Sequence, residues 1–420
     1  MDFELSAKGK AYLEKTKQFM DKEIIPIEDK FWKEVHQTCD PEDWTTWKWP
    51  VALETLKAKA KSAGLWNMFL PDEKLGAGLS IQEYAHIAEY TGRSFLAPMV
   101  FNCNAPDTGN MELLWKYGSE AQKKHWLVPL LNGEIRSVFC MTEPDVASSD
   151  ATNMQATAIV DGNEIVLNGR KWWSSGLGDP NTKLLIFMAH TPDSSKGHHE
   201  QHSMVLVPVN TPGVKIERML PIFGDIDAPH GHGEVCFNNV RVPIENFIGG
   251  PGEGFAIAQG RLGPGRIHHC MRCVGAAERA LELMIDRGMT RIAFGQPILE
   301  LGGNKEKIAD ARIAIEQARL MTLYAAWKMD TVGNTAAMTE ISAIKVIAPN
   351  MMQQVIDMAI QMHGAMGVSN DTPLARFMGI ARSLRLADGP DEVHKRVITR
   401  IELKKRGYGR NYQPLKGKIA

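Results

Sequence analysis

No stretch of this 420-residue chain stays apolar long enough to cross a bilayer, so membrane insertion is not expected. The amino terminus, MDFELSAKGKAYLEKTKQFM, lacks the apolar core of a signal peptide; it is an amphipathic helical pattern carrying both charge signs. A cytoplasmic setting is expected, or the mitochondrial or peroxisomal matrix in a eukaryotic cell. Neither charge is in excess: 48 Lys and Arg stand against 49 Asp and Glu, with no long basic run, so nucleic-acid binding has no electrostatic support. Cysteine is sparse, six residues scattered at 39, 103, 140, 236, 270 and 273, which suits a reducing compartment and no disulfide framework. Cys270 and Cys273 make a C-x-x-C without a second pair inside a helical pattern, and read as small packing residues. His198, His199 and His202, with His230 and His232 further on, lack metalloprotease spacing; both segments read as solvated loops, and no metal is expected.

What is present has a definite order. The length exceeds what one core serves, so several domains are expected. Residues 1–136 read as helical, with capping boxes at Ser80/Glu83 and Ser119/Gln122 opening two helices. The cluster Trp44, Trp47 and Trp49 reads as packing or subunit contact. From about 137 to 250 the period changes to short alternating strands: a turn at Asp161–Asn163, and a hairpin signal at Asn168-Gly169 leading into Arg170–Ser174, imply a small β-barrel or sandwich. From 251 to 406 four helical stretches, 255–287, 305–331, 339–363 and 391–404, have the size of a four-helix bundle, with Pro349 expected to kink the third. Residues 407–420 read as a polar tail. Near the end of the bundle, ARSLRLADGPDEVH reads as a helix end, a tight Asp388-Gly389-Pro390 corner and a new helix start. By its own surroundings, Asp388 is a helix cap.

Several segments taken together change that reading. FCMTEPDVASSD (139–150), NGRKWWSSG (168–176), RIAFGQPI (291–298), QMHGAMG (361–367) and the corner at Asp388 follow one another at intervals that resemble the acyl-CoA dehydrogenase family over nearly the whole chain. The resemblance implies an α+β multidomain fold: N-terminal helices, a central β domain and a C-terminal bundle. It implies FAD as cofactor. Met141 and Thr142 would meet the isoalloxazine edge, Trp173 would cover its dimethylbenzene end, Ser175 would bond near N5, and Ser148 or Ser149 would reach a phosphate. Arg291, Phe294, Gln361, Gly364 and Ala365 would approach the FAD of a neighbouring subunit, and Pro390 and Glu392 would also line the cofactor. A homo-oligomer, dimer or tetramer, is therefore expected. On the substrate side the resemblance implies Ser149, Gly263, Arg266 and Gly389, with Arg266 in a loop GRLGPGRIHH.

Two departures from the family pattern sharpen the assignment. Some branches place a catalytic Glu just before the family Arg, where this chain has Gly265; most place Glu on the C-terminal corner, where this chain has Asp388. Asp388 thus becomes the expected base, removing the α-proton of an acyl-CoA thioester while the β-hydride leaves for flavin N5 and the electrons pass to an electron-transfer flavoprotein. At Gly302-Gly303 the usual adenine-contacting side chain is missing. The string ADGPDEVH is similar to a branch that in animals is fused to a kinase-like phosphotransferase domain, of which this chain is expected to carry the dehydrogenase part alone. Two other readings stay open: a flavin oxidase of the same fold, resembling nitroalkane oxidase, and a non-enzymatic scaffold flavoprotein.

Overall fold

The computed structural model describes residues 3–193, 195, 197 and 200–409. His198 and His199, and the tail from 410 on, lie outside the described residues. By packing, the chain falls into two compact units: one formed by Phe19–Gly78 with Leu96–Gly265, the other by the residues up to Gln18, Leu79–Phe95 and Arg266 onward.

The first unit is built on a seven-stranded sheet: β1 (Arg136–Cys140), β2 (Thr157–Asp161), β3 (Glu164–Ser175), β4 (Thr182–His190), β5 (His202–Pro208), β6 (Val214–Met219) and β7 (His232–Pro243). The order is β1-β4-β2-β3-β7-β6, with β5 paired to β4. The apolar run Leu184–Ala189 of β4 is wholly buried, as expected of a strand covered on both faces. The Asp161–Asn163 turn forms as expected: Asp161 pairs with Glu164 across a bend in which Gly162 has φ +62°. The Asn168-Gly169 signal does not make a hairpin. Both residues lie inside the continuous strand β3, where Gly169 (φ +146°) marks a register shift against β7. A Cβ there would come within 2.4 Å of the Ala156 Cβ, so glycine serves close packing rather than a turn. Trp47 is buried, donates to the Asp40 carbonyl at 2.6 Å, and packs on Gly178 and Gly231; Trp49 donates to Asp179 at 2.9 Å.

In the second unit, both the expected capping box at Ser80/Glu83 and the helix it opens, Ile81–Thr91, are present. (The box at Ser119/Gln122, in the first unit, also forms.) The C-terminal region holds five helices rather than four: Gly254–Thr290, Asn304–Ala336, Met338–His363, Leu374–Leu384 and Asp391–Lys405. Leu374–Leu384, whose end is expected before the corner but which is not among the four expected stretches, has a narrow buried stripe of Leu374, Phe377 and Ala381 with basic residues elsewhere. Residues 260–269 lie within Gly254–Thr290 and not in a loop. Burial of Ile257, Ala258, Ile267, Cys270 and Met271 outweighs the low helix propensity of the glycines and Pro264. Met338–His363 runs on through the buried Pro349, whose missing N–H leaves the Lys345 carbonyl without its helical donor; one residue on, the Asn350 amide bonds the Val346 carbonyl at 2.7 Å.

Candidate active site

The corner between Leu374–Leu384 and Asp391–Lys405 is held from several elements. Lys345, almost fully buried, donates to the Leu384 carbonyl and so caps the incoming helix. Asp391, in the first turn of the last helix, is also buried: its Oδ2 accepts from Arg385 and Asn350 at 3.0 Å, and its N–H donates to the Arg385 carbonyl. Between these anchors, Asp388 adopts φ +54° and Gly389 φ +97°. A left-handed conformation at a non-glycine residue is uncommon, and Asp is among the few that tolerate it. The corner presses against His394, since a Cβ on Gly389 would stand 3.1 Å from Nε2 of that ring.

Positive charge and donors surround Asp388. Its carbonyl accepts from Arg266 at 3.4 Å and from His394 Nε2 at 3.2 Å. A carbonyl can only accept, so Nε2 of His394 carries the proton in the neutral ring. Burial, then the charges of Arg266 and Lys345, push the His394 pKa down to about 4, so the ring is neutral near pH 7. The Asp388 carboxylate, 30 % exposed, has Oδ2 3.7 Å from His269 Nε2. Burial lowers the Arg266 pKa, opposed by the charge of Asp388. The structure thus brings the candidates Arg266, Asp388 and Gly389 together, with His269 and His394 beside them. Their signal was visible in RIHH and DEVH, but no spacing rule connects positions 269 and 394 to 388.

The β unit provides a different set of groups. Between Lys171 and Ser174, β3 carries one residue more than β7 opposite it, a β-bulge at which Trp173 has φ +51°. The bulge turns the Trp173 ring outward, 40 % exposed, while Lys171 on the same strand stays wholly buried. Trp172 N–H donates to the Thr142 carbonyl at 3.0 Å, which fastens the bulge to the segment after β1. Lys171 Nζ donates to the Met141 carbonyl at 2.9 Å and to Glu143 at 2.8 Å; Glu143 also accepts from the backbone of Gln155 and Ala156. Burial pulls the Lys171 pKa down to about 8, against the attraction of Glu143. The Thr142 hydroxyl and N–H have no hydrogen bond among the described residues. A flat plate beside open donors fits a planar heteroaromatic with acceptors on one edge. Ser175 Oγ lies 2.8 Å from His232 Nδ1, and His232 Nε2 is 3.4 Å from Asp227.

Some expectations are overturned here. His232 is the first residue of β7 and not part of a solvated loop, and its ring lies 6.0 Å from that of Trp173. His230 is half-buried beside it, and burial pushes its pKa down. His202 opens β5 and is fully buried. Strand pairing with His190 and with Ser175 takes both out of solvent, a non-local effect. Ser148 closes its own turn, accepting from Glu143 N–H at 2.9 Å, whereas Ser149 is exposed. Cys270 and Cys273 are buried free thiols, the former pushed up to about 12 by burial, in keeping with packing residues.

The remaining candidates are on the surface of the bundle unit. Phe294, 94 % exposed, tips a two-residue turn with Gly295 between Ile292–Ala293 and Gln296–Pro297, both tip residues having positive φ. Arg291, at its base, is exposed, as are Gln361, Gly364 and Ala365 at the end of Met338–His363. Pro390 caps the last helix, and Glu392 is exposed in its first turn. No hydrogen bond among the described residues joins Arg291 or Phe294 to the Gln361–Ala365 segment. Gly263 lies within Gly254–Thr290.

Models of the acyl-CoA dehydrogenase N-terminal, middle and C-terminal domains match residues 6–134, 138–240 and 252–403. The chain is 54% identical to acyl-CoA dehydrogenase family member 11 of Gallus gallus over 402 residues, 96% of this chain and 51% of that protein. It thus spans about half the length of the animal relatives it matches. It is 52% identical to FadE2 of Mycobacterium tuberculosis over 96% of this chain and 97% of that protein. A solved Mycobacterium abscessus chain superposes with a TM-score of 0.92 at 58% identity, covering 96% of this chain and 99% of that one. The chain therefore belongs to the acyl-CoA dehydrogenase family and has its fold.

Proposed function

We propose that this protein dehydrogenates an acyl-CoA thioester between its α and β carbons, with Asp388 as the base that takes the α-proton. The observation that carries this reading is the corner itself. Asp388, at φ +54°, is held through its carbonyl by Arg266 and His394 from two helices, while Lys345 fixes the end of the incoming helix at Leu384, so the corner presents its carboxylate in a set direction. Arg266 bonds the carbonyl of Asp388 and brings a cation to this corner, which supports a negatively charged CoA thioester as its ligand. Gly389, beside Asp388, would allow backbone approach to that thioester, and Gly263 and the exposed Ser149 are proposed for its binding by the family resemblance.

FAD, when bound, supplies the acceptor for the β-hydride. Thr142 and Met141 would hold the ring edge, the outward Trp173 would cover one end of the ring and exclude water, and Ser175, tied to His232, would donate near the reacting edge. Ser149 would take a phosphate, because the Ser148 hydroxyl is already engaged. Arg291, Phe294, Gln361, Gly364 and Ala365 are surface groups on the unit that holds Asp388, and they would meet the FAD of a second copy in a dimer or tetramer. Pro390 and Glu392 would flank the same cofactor. An electron-transfer flavoprotein would take the electrons. No helix among the described residues is long and apolar enough to cross a membrane, and six free thiols support a reducing aqueous compartment.

The test is anaerobic mixing of the purified protein with acyl-CoAs of several lengths while flavin absorbance is followed. Rapid bleaching is expected, with D388N keeping its flavin and losing about a thousandfold or more of the rate. Bleaching by a nitroalkane and by no thioester would replace this reading with the oxidase. Undiminished bleaching by D388N would remove Asp388 as the base.

A further inference from the structure

Asp388 does not stand alone at its corner. Its Oδ2 lies 3.7 Å from Nε2 of His269, one turn along the Gly254–Thr290 helix from Arg266. Arg266 bonds the Asp388 carbonyl, so a single face of that helix sets a guanidinium and an imidazole against the two polar ends of one residue. At 3.7 Å the imidazole and carboxylate are an ion-pair distance apart, slightly beyond a hydrogen bond, a gap that closes by a small side-chain rotation.

We propose that His269 is a positioning residue for Asp388: its Nε2 orients the carboxylate, and the proton state of its ring sets how strong a base that carboxylate is. This rests on the reading of Asp388 as the base. A neutral ring with Nε2–H donates to Oδ2 and fixes its direction. A protonated ring stabilises the carboxylate further and makes it a weaker base. Proton removal should therefore speed up as pH rises through the titration of His269.

The other charged groups around the pair are poorly placed to cause the same pH dependence. On the same helix Arg266 remains cationic, and the Cys270 thiol is held neutral by burial at about 12. His268 and Arg272 flank His269 on that helix. His268 is buried against Tyr84 of Ile81–Thr91, its pKa driven far down by burial and the charge of Arg272. From Met338–His363, Lys345 reaches the Leu384 carbonyl. From Asp391–Lys405, His394 faces the Asp388 carbonyl and takes a proton only near pH 4, while Asp391 is bound to Arg385 and Asn350. His269, with Nε2 3.7 Å from Oδ2, is then the imidazole of the cluster placed against the Asp388 carboxylate.

The experiment has two independent readouts. In the purified holoprotein with isotope-labelled histidine, the titration midpoint of the His269 ring is followed by NMR. It should fall by about one pH unit or more in D388N, because stabilisation between two titrating groups is reciprocal. In single-turnover bleaching by an acyl-CoA, the wild-type rate should rise with pH on its acid side. H269Q, which keeps an amide donor and cannot titrate, should retain the rate within about tenfold and lose that rise. H269A, with no donor, should be slower by about ten- to a hundredfold with flavin content unchanged. An unshifted His269 midpoint in D388N, or an H269Q profile that follows the wild type, would overturn the proposal. Rapid bleaching by D388N itself would instead remove the assignment of the base, so the two failures are distinguishable.

Discussion

At the scale of single residues, the corner owes its shape to groups whose roles depend on distant neighbours. Asp388, Gly389 and Pro390 announce a tight turn in the sequence, and the turn forms. That Asp391 would be buried and bonded to Arg385 and Asn350 was not legible, because Asp in a first helical turn usually faces water and the partners come from helices tens of residues away. His394 gives a measurable consequence. Unfolded, its ring takes a proton near a pKa of about 6.5; folded, only near 4. Between those values the unfolded chain binds more protons, so stability rises with pH through that window and is lost as pH falls from about 6.5 towards 4. The loss amounts to about 3 kcal/mol. H394Q keeps a donor for the Asp388 carbonyl and cannot protonate. Urea unfolding at several pH values should therefore show a flatter acid limb for H394Q; a limb as steep as the wild type's would mean the ring is not buried neutral.

At the scale of elements, the signals written in neighbouring residues were legible, and those requiring a partner strand were not. The capping boxes at Ser80 and Ser119 form because both of their partners sit three residues apart. Asn168-Gly169 failed as a hairpin signal because β7 pairs along β3 on both sides of it and spends the glycine on contact with Ala156. The bulge at Trp173 was likewise invisible: an extra residue exists only relative to the strand opposite. It separates two jobs two positions apart on one strand, and two variants should separate them. W173A removes a ring that is 40 % exposed, so the unfolding midpoint should scarcely move while flavin affinity drops by about tenfold. K171M leaves the carboxylate of Glu143 buried without its cation, and should cost about 3 kcal/mol in stability, moderated by the two backbone N–H groups that still bond it. Equal thermal destabilisation of the two variants would show that Trp173 is a core residue and that the outward plate has no separate role.

At the scale of the molecule, the sequence order of helices, strands and helices was legible from the change of period, and so was the family from motifs set at intervals. Which distant segments pack together was not, because helical periodicity shows that a face is buried without showing against what. Residues 79–95 come from the helical N-terminal third, yet they pack into the unit formed by the C-terminal helices. Arg319, on Asn304–Ala336, is the link: it bonds Glu89 of Ile81–Thr91, Glu278 of Gly254–Thr290, and Glu316 on its own helix. Burial opposes its charge, but the three carboxylates hold its pKa above the ordinary arginine value; Glu89, more deeply buried, is itself raised by desolvation despite Arg319. Arg312 pairs with Glu278 and Glu316 as well, so removing Arg319 leaves three carboxylates with one cation, and Glu89 with none of those bonds. R319M preserves much of the apolar stem and should destabilise this unit by about 3 kcal/mol near neutral pH. The deficit should shrink as pH falls and the crowded carboxylates, Glu89 first, take up protons, because the native state of the variant then binds more protons than the unfolded chain. Thermal unfolding of R319M and wild type at pH 7.5 and pH 5 measures both terms. A deficit that stays the same at the two pH values would mean that Arg319 contributes by packing, and that the charge network does not join the three helices.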